Sequence, residues 1–479
     1  MDYEQIGFKC GVEIHNRLAT RGKLFCSCVP RFSDGEPVTV IDRKQRAVVG
    51  ETGKTDKAAK YESSQGKTFH YMAYDKESCL VETDSEPPHP INQETLDLAF
   101  QIAKIFQAEI PDEIHVMRKT VVDGSNTSGF QRSMLVGTNG KMETSLGEVT
   151  IDNICLEEES CGIVEKKGKD MIYRVDRLGI PLIEIATGPD VKTPEHAKEV
   201  AKKIGMAVRS TGKSQRGLGV TRQDVNVSIR GGKRIEIKGV QDLDVIPKII
   251  DDEIERQRKL VLVGESREET RVLRADGSTV YTRPLPGGDR MYPETDVPVI
   301  IVDHKKIEKI KLPETWEEKS KRIGKLLSED LTSQIISSSE LDRWEKLSKN
   351  FDPKLVATTL MSTVTDLRRK GVETDNLNDK HFQDVFFVLK KGLISKEAVA
   401  DMLEGFVKSP RATVGEIVAS LGIESVDESE VRTVVRDVIR RNPKLAEQKK
   451  LGALMGDVMR EVRGKIDGKI VKKVLEEEL

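Results

Sequence analysis

From Ile6 to His15 the chain alternates: Phe8, Cys10, Val12 and Ile14 are apolar, while Lys9, Glu13 and His15 between them are polar. Successive side chains of a strand point to opposite faces, so a period of two marks a strand with one face in a core and the other free. The pattern returns from Val149 to Cys155. It returns again from Arg222 to Ile229, where Val225, Val227 and Ile229 lie opposite Asp224, Asn226 and Ser228. Gly231-Gly232 supplies a turn tolerant of positive φ, and Ile235 and Ile237 alternate beyond it, so a hairpin with one oily and one polar face is expected here. Such a chain must build a sheet whose second face is left for chemistry.

Helices interrupt this region. Asn92 is placed to cap a helix carrying Leu96, Ala99, Ala103 and Phe106 on one stripe. Thr193-Pro194-Glu195 sets a cap residue and then Pro at the first helical position, ahead of Ala197 to Met206. Val245 to Leu260 reads as a third helix, and the Pro/Gly-dense run Arg283 to Pro298 as a loop closing the domain. From about Leu312 the texture turns to charged amphipathic helices, punctuated at Phe351-Asp-Pro, Asn376 to Asp379 and Ser409-Pro410. At roughly 150 residues per domain, 479 residues make about three. The expected fold class is α+β: a mixed or antiparallel sheet domain with helices at 1–300, an all-α domain at 301–408 and a small helical tail at 409–479.

Lys and Arg total 78 against 80 Asp and Glu, a formal net charge of −2, so the chain is not a globally basic nucleic-acid coater. No stretch approaches the ~20 apolar residues of a spanning helix. The start, Met-Asp-Tyr-Glu-Gln, lacks a basic segment followed by an apolar core, and six dispersed Cys make no disulfide framework. A cytoplasmic location is expected. The even balance hides an asymmetry, because 13 Lys and Arg stand against five Asp and Glu between Val431 and Leu475, a local excess of about +8. Aromatic residues are absent there, so contact with a phosphate backbone is expected rather than base stacking.

The polar strand faces collect acids and one imidazole. Glu13 and His15 point the same way, and Leu156-Glu-Glu-Glu159 puts Glu157 and Glu159 on one face and Glu158 on the other. Glu184 lies inside the apolar run Ile180 to Ile185, where a carboxylate must meet a cation or carry a large desolvation penalty. Oxygen ligands with one imidazole suit Mg²⁺ or Mn²⁺, which would hold nucleotide phosphates. Taken singly, each acid reads first as a solvated strand face, Glu184 in its apolar run excepted. Gly50-Glu-Thr-Gly-Lys-Thr55 imitates a phosphate loop, but the pattern needs Gly where Val48 stands, so an ordinary turn is expected. Cys26-Ser-Cys28 is half of a zinc pattern with no second close pair to complete it, Cys79, Cys155 and Cys161 being scattered, so a simple thiol pair is expected.

Several long runs together resemble the B/E family of tRNA-dependent amidotransferase subunits. They are Gly11-Val-Glu-Ile-His15 with Lys23 to Cys28, Arg118 to Arg132, Leu156 to Ser160, Asp176 to Ile185, Arg222 to Ser228, Glu236 to Asp244 and Arg283 to Pro298. Asn442-Pro-Lys, Gly452 to Met459 and Leu475 to Leu479 resemble the family's tRNA-binding tail. Ser125 to Gln131 and Gly239 to Leu243 favour the E branch, that of the archaeal-type glutamyl-tRNA(Gln) amidotransferases, over the B branch with its A and C partners. The E branch usually carries an inserted domain similar to one in bacterial-type aspartyl-tRNA synthetases; here Val263 to Arg267 joins its two flanks directly.

The resemblance implies a ligase with its kinase and transamidase site in a cradle domain at 1–300. ATP and Mg²⁺ would serve to phosphorylate the γ-carboxylate of Glu carried by tRNA(Gln), and ammonia would displace the phosphate to give Gln-tRNA(Gln). The ammonia would come from a separate asparaginase-like amidotransferase partner, the D component of the complex, so a hetero-oligomer is implied. His15, Glu157 and Glu184 become the metal ligands, with Glu13, Glu158 and Asp224 adjacent or alternative, and Arg222, Lys238 and Arg174 would neutralise phosphate. A non-catalytic tRNA-binding protein is the competing class. It gains nothing from the acids at 157–159.

Overall fold

The computed structural model describes the chain except residues 51–52, 216, 218, 339, 423–427, 448–450 and 463–467, and the side chains of 428–430, 444, 447, 462 and 468–470. It divides into two compact units, Met1–Trp316 and Glu317–Leu479.

Among the described residues of the first unit, ten strands form one sheet. In chain order they are β1 (Lys9–Arg17), β2 (Val116–Thr120), β3 (Phe130–Thr144), β4 (Gly147–Glu158), β5 (Pro181–Thr187), β6 (Thr221–Ser228), β7 (Ile235–Val240), β8 (Glu269–Leu273), β9 (Thr279–Pro284) and β10 (Met291–Pro293). Their order across the sheet is β9-β8-β7-β6-β1-β5-β4-β3-β2-β10. Neighbours are antiparallel except β7 and β8, which run parallel, so the sheet is mixed. The expected hairpin is β6–β7, with Asn226 opposite Glu236 and Gly231 at φ +78° in its turn.

β1 lies at the centre, and its alternation is read out as expected. Cys10, Val12 and Ile14 are fully buried, with Val225, Val227, Ile183 and Ile185 from the flanking strands. Three helices cover this face: α1 (Gln93–Ile105), α2 (Pro194–Ser210) and α3 (Ile246–Leu262). Asn92 Oδ1 accepts from Thr95 N at 3.2 Å, and Thr193 Oγ1 accepts from His196 N at 3.1 Å, so both expected caps form. Each buried Val or Ile stabilises by about 1.5–3 kcal/mol. A slip of one residue would turn them all outward, so the oily face fixes the register that aligns the polar one.

Two boundaries differ from the sequence reading. The run Arg283 to Pro298 is not all loop: Met291–Pro293 pairs with β2, and Glu294 behind it is buried between Arg118 and Arg132. The first unit also runs beyond 300, since Val302 and Ile307 join its core and Lys104 Nζ donates to the Ile307 and Ile310 carbonyls at 2.9 Å. Between α3 and β8, residues 263–268 make the short join, with Leu262 86% and Val263 66% exposed.

A separate four-stranded sheet, Thr39–Arg43, Thr68–Ala73, Asp170–Arg174 and Gly162–Lys167, packs Phe69, Tyr71, Met171 and Tyr173 together. Every described secondary-structure element of the second unit is a helix. Its last part, helices Glu428–Arg441, Leu451–Val462 and Gly468–Glu478, has its own core of Val431, Val435, Val438, Leu454, Val458, Val471, Val474 and Leu475. Among the described residues no helix is long and apolar enough to cross a membrane.

Candidate active site

The free face of the sheet is a cleft of about 430 Å³. Its floor comes from four adjacent strands. On β1, His15 lies opposite Glu184 of β5 and Arg222 of β6, and Glu13 lies opposite Asp224 of β6. Glu157 of β4 lies opposite Leu182 of β5. Alternation and register thus bring residues about 170 and 210 positions apart onto one surface.

Its electrostatics are those of a mixed-charge lattice. His15 Nε2 and Glu184 Oε2 are 2.9 Å apart, and Lys119 Nζ of β2 lies 3.8 Å from the same oxygen and 2.6 Å from Glu157 Oε1. Burial works against the charge on His15, but the hydrogen bond to Glu184 together with the charges of Glu184 and Asp224 outweighs it and pushes the pKa up to about 9. Burial would raise the Glu184 carboxyl, yet Lys119 and His15 hold it well below the usual carboxylate range. Glu13 goes the other way, its pKa raised by burial and by the nearby Glu184 charge. Asn226 Nδ2 donates to Glu13 Oε1 at 3.1 Å. Lys238 Nζ reaches Asp224 at 2.6 Å and Glu236 at 2.8 Å; against burial, those acids raise its pKa and it lowers that of Asp224.

Two donor sets have all ligand atoms within 4.8 Å of one another: Glu13, His15 and Glu184, and Glu13, Asp224 and Glu236. Hard oxygens with one imidazole fit Mg²⁺ or Mn²⁺, so the residues present match the expected metal. Of the expected residues, Glu13, His15, Glu157, Glu184, Arg222, Asp224 and Lys238 all line the cleft. Glu157 joins neither donor set, because Lys119, Ser133 Oγ at 2.6 Å and Gln131 Nε2 at 3.1 Å already occupy its oxygens. Two expectations need correction. Glu158 faces the other side, as its place next to Glu157 on β4 requires, and pairs with Arg132 at 3.3 Å. Arg174 sits away from the cleft, bonded to Asp176 and held against the Phe32 and Tyr74 rings. Sequence reasoning passed over Lys119 and Glu236. Both lay in runs singled out above, on the same faces as Met117 and Lys238, but nothing local says that those faces meet the acids.

Among its described residues, the phosphate-loop imitation leaves the following helix no open N-terminus. Glu51 and Thr52 lie outside the described residues, and the helix that follows, Lys57–Ser64, has its N-terminus answered by Asp56, which accepts from Ala58 N and Ala59 N at 3.0 Å.

The thiol pair, by contrast, is not alone. Cys79 and Glu82 come to Cys26 and Cys28, all four ligand atoms within 4.8 Å. Three thiols and a carboxylate are the donor chemistry of a structural zinc site, and the pair Cys79-x-x-Glu82 was missed because one ligand is not Cys. Metal analysis of the purified protein should find about one zinc per chain. Cys79→Ser should lose it and melt at a lower temperature; a parent protein without zinc would refute the assignment.

In the tail, Arg432 and Arg436 pair with Glu478, and Arg441 with Glu461 at 2.9 Å. The terminal acids therefore offset part of the basic excess. Lys449, Lys450, Arg463 and Lys465, counted in that excess, lie outside the described residues.

Comparison with known proteins gives the family. The family model for the GatB/GatE catalytic domain matches residues 8–308, and one for a GatB domain matches 342–479. The chain is similar to the E subunit of glutamyl-tRNA(Gln) amidotransferase from Methanococcus maripaludis strain C7, 36% identical over 596 residues, covering 95% of this chain and 94% of the relative. The same protein of Methanocaldococcus jannaschii is 35% identical over 602 residues, covering 95% and 96%. That of Methanosarcina barkeri is 36% identical over 623 residues, covering 100% and 98%. The last alignment exceeds the 479 residues here by 144 positions, so that relative carries at least that many residues without a counterpart in this chain. On the catalytic-domain match and on likeness to these relatives over nearly its whole length, this chain belongs to the GatB/GatE family of amidotransferase subunits.

Proposed function

We propose that the cleft carries out ATP-dependent transamidation, converting Glu carried by tRNA(Gln) into Gln through a γ-phosphoryl intermediate. One observation carries this reading: two donor sets sharing Glu13 lie between the cations Lys119 and Lys238. Bringing a carboxylate to a polyphosphate sets two anions against each other, and such a site needs positioned charge rather than a protein nucleophile. A divalent cation held by Glu13, His15 and Glu184 would neutralise charge between phosphate and carboxylate.

The chain's own residues supply the rest. Lys238 and Arg222 present positive charge where phosphate oxygens would lie, and Lys119 keeps Glu184 ionised. In the first step a γ-carboxylate oxygen bonds to the terminal phosphorus and ADP leaves. In the second, ammonia nitrogen bonds to the acyl carbon, phosphate leaves, and one proton must be taken from the nitrogen. With Glu13 committed to the cation, the departing phosphate is the base at hand for that proton. Ammonia would be delivered by an asparaginase-like partner protein, as the resemblance to the E branch implies. The test is formation of Gln-tRNA(Gln) from Glu-tRNA(Gln), ATP, Mg²⁺ and ammonium by the full chain. No amide above a no-enzyme control, with or without the partner, would reject the reading.

The tail is assigned to the tRNA. Arg440, Arg460, Lys472 and Lys473 are each more than 60% exposed. Changing all four to Gln should weaken tRNA binding and reduce the salt slope by about 0.7–0.9 for each phosphate no longer neutralised. Filter binding across a salt series measures both, and an unchanged slope would remove the tail from the interface.

A further inference from the structure

Two residues beyond His15 on the same face of β1 lies Arg17, which is 5% exposed. Among the described residues its guanidinium makes no hydrogen bond and no ion pair, and Nε is fully buried without a partner. The acids around it are engaged. Glu159 accepts from Arg222 Nη2 at 2.8 and 2.9 Å and from Ser160 N at 2.9 Å, and Asp176 is held by Arg174. Arg177 is satisfied by the Ser160 and Cys161 carbonyls at 2.7 Å. Arg17 lies over the Phe32 ring, 5.2 Å from its guanidinium carbon, and feels the charge of Glu159 without bonding to it. Of the five donors of a guanidinium, the one on Nε is out of water without an acceptor, a cost with no visible return. Arg17 lies opposite Leu182 on β5, and Leu182, Glu159 and Arg222 all line the catalytic cleft.

We propose that Arg17 forms a phosphate subsite at the end of the catalytic cleft, taking a phosphate oxygen of a substrate on its unanswered donors. The assignment deepens the function proposed above and rests on it. The phosphate has two sources there, ATP and the phosphodiester near the aminoacylated end of the tRNA. A carboxylate is the poorer match. Arg17, Arg177 and Arg222 share the single charge of Glu159 here, which leaves positive charge in excess, and a phosphate brings more negative charge and more acceptor oxygens.

The test compares the full chain with Arg17→Gln and Arg17→Lys. Thermal midpoints are read in chloride, in inorganic phosphate and in acetate at matched pH and ionic strength. Phosphate should raise the parent midpoint by several degrees and acetate should not. Arg17→Gln should melt at or above the parent in chloride, because an unanswered buried charge is gone, and should lose the phosphate shift; Arg17→Lys should keep part of it. A lower midpoint for Arg17→Gln in chloride would mark a structural residue and overturn the proposal. So would a phosphate shift that is absent in the parent or equal in both. Separate titrations with ATP and with Glu-tRNA(Gln) then name the source, as the one weakened tenfold or more by Arg17→Gln; both staying within twofold also overturns it. An Arg17-dependent phosphate shift in a parent that forms no amide would instead reject the transamidation reading and leave the phosphate site standing.

Discussion

Glu184→Gln should reduce amide formation from Glu-tRNA(Gln), ATP and ammonium by about a thousandfold or more at saturating substrates. Glu184 is the joint of the site: the acid that His15 and Lys119 both address and a member of the first donor set. Replacing it by an amide removes a charge that a metal needs and leaves two cations facing each other. A thousandfold loss corresponds to about 4 kcal/mol of transition-state stabilisation, within the several kcal/mol that metal-centred charge neutralisation supplies. Single-turnover formation of Gln-tRNA(Gln) measures it, and a loss smaller than tenfold would remove Glu184 from the chemistry. The same joint fixes a pH dependence. With its pKa pushed up to about 9, His15 holds a proton at neutral pH that a metal ligand must give up. Apparent Mn²⁺ affinity of the parent should therefore rise about tenfold per pH unit from pH 7 to about 9 and then level off. His15→Gln should flatten that rise.

Lys119→Met should cost the first unit about 3–5 kcal/mol, the size expected when one partner of a buried ion pair is deleted. Lys119 is 12% exposed, and its Nζ is 2.6 Å from Glu157, a side chain 2% exposed. The two acids keep Lys119 charged against the opposing effect of burial, so the balance holds only while all three are present. Without the amine, Glu157 retains Ser133 and Gln131 but no counter-charge. The urea midpoint should fall at unchanged slope. Adding Glu157→Gln to that variant should recover part of the loss, because no charge is then stranded; a purely additive double variant would show that the two are not coupled.

How much of this could be read in the chain follows from the range of each interaction. The period of two assigned Glu13 and His15 to one face and separated Glu158 from Glu157 and Glu159, because that depends on neighbouring residues alone. Glu184 was conspicuous as a charge in an apolar run. Helix starts at Asn92 and Thr193 were legible in their caps. Lys119 and Glu236 were not, since nothing near them states which strand will lie alongside. Met291–Pro293 looked like loop because its pairing with β2 spans some 170 residues and its composition is that of a turn. Arg174 was taken for a phosphate ligand when Asp176, two residues on, was its partner. Arg17 was overlooked because a buried arginine is conspicuous only once its lack of an acceptor can be seen.

The central place of β1 sets the moment at which this protein can first do chemistry. It is nearly the first element made, yet its Glu13 and His15 mean nothing until β5 and β6 lie on either side, and those end at Thr187 and Ser228. The second donor set needs Glu236 as well. A chain growing on the ribosome holds Glu13 and His15 for about 170 residues of synthesis before Glu184 emerges, and for more than 200 before Asp224 and Glu236 follow. During that interval β1 is an oily strand with both edges open. The first donor set is thus complete at Glu184 and the second only at Glu236, and a nascent chain halted before Glu184 should bind no Mn²⁺ at this site.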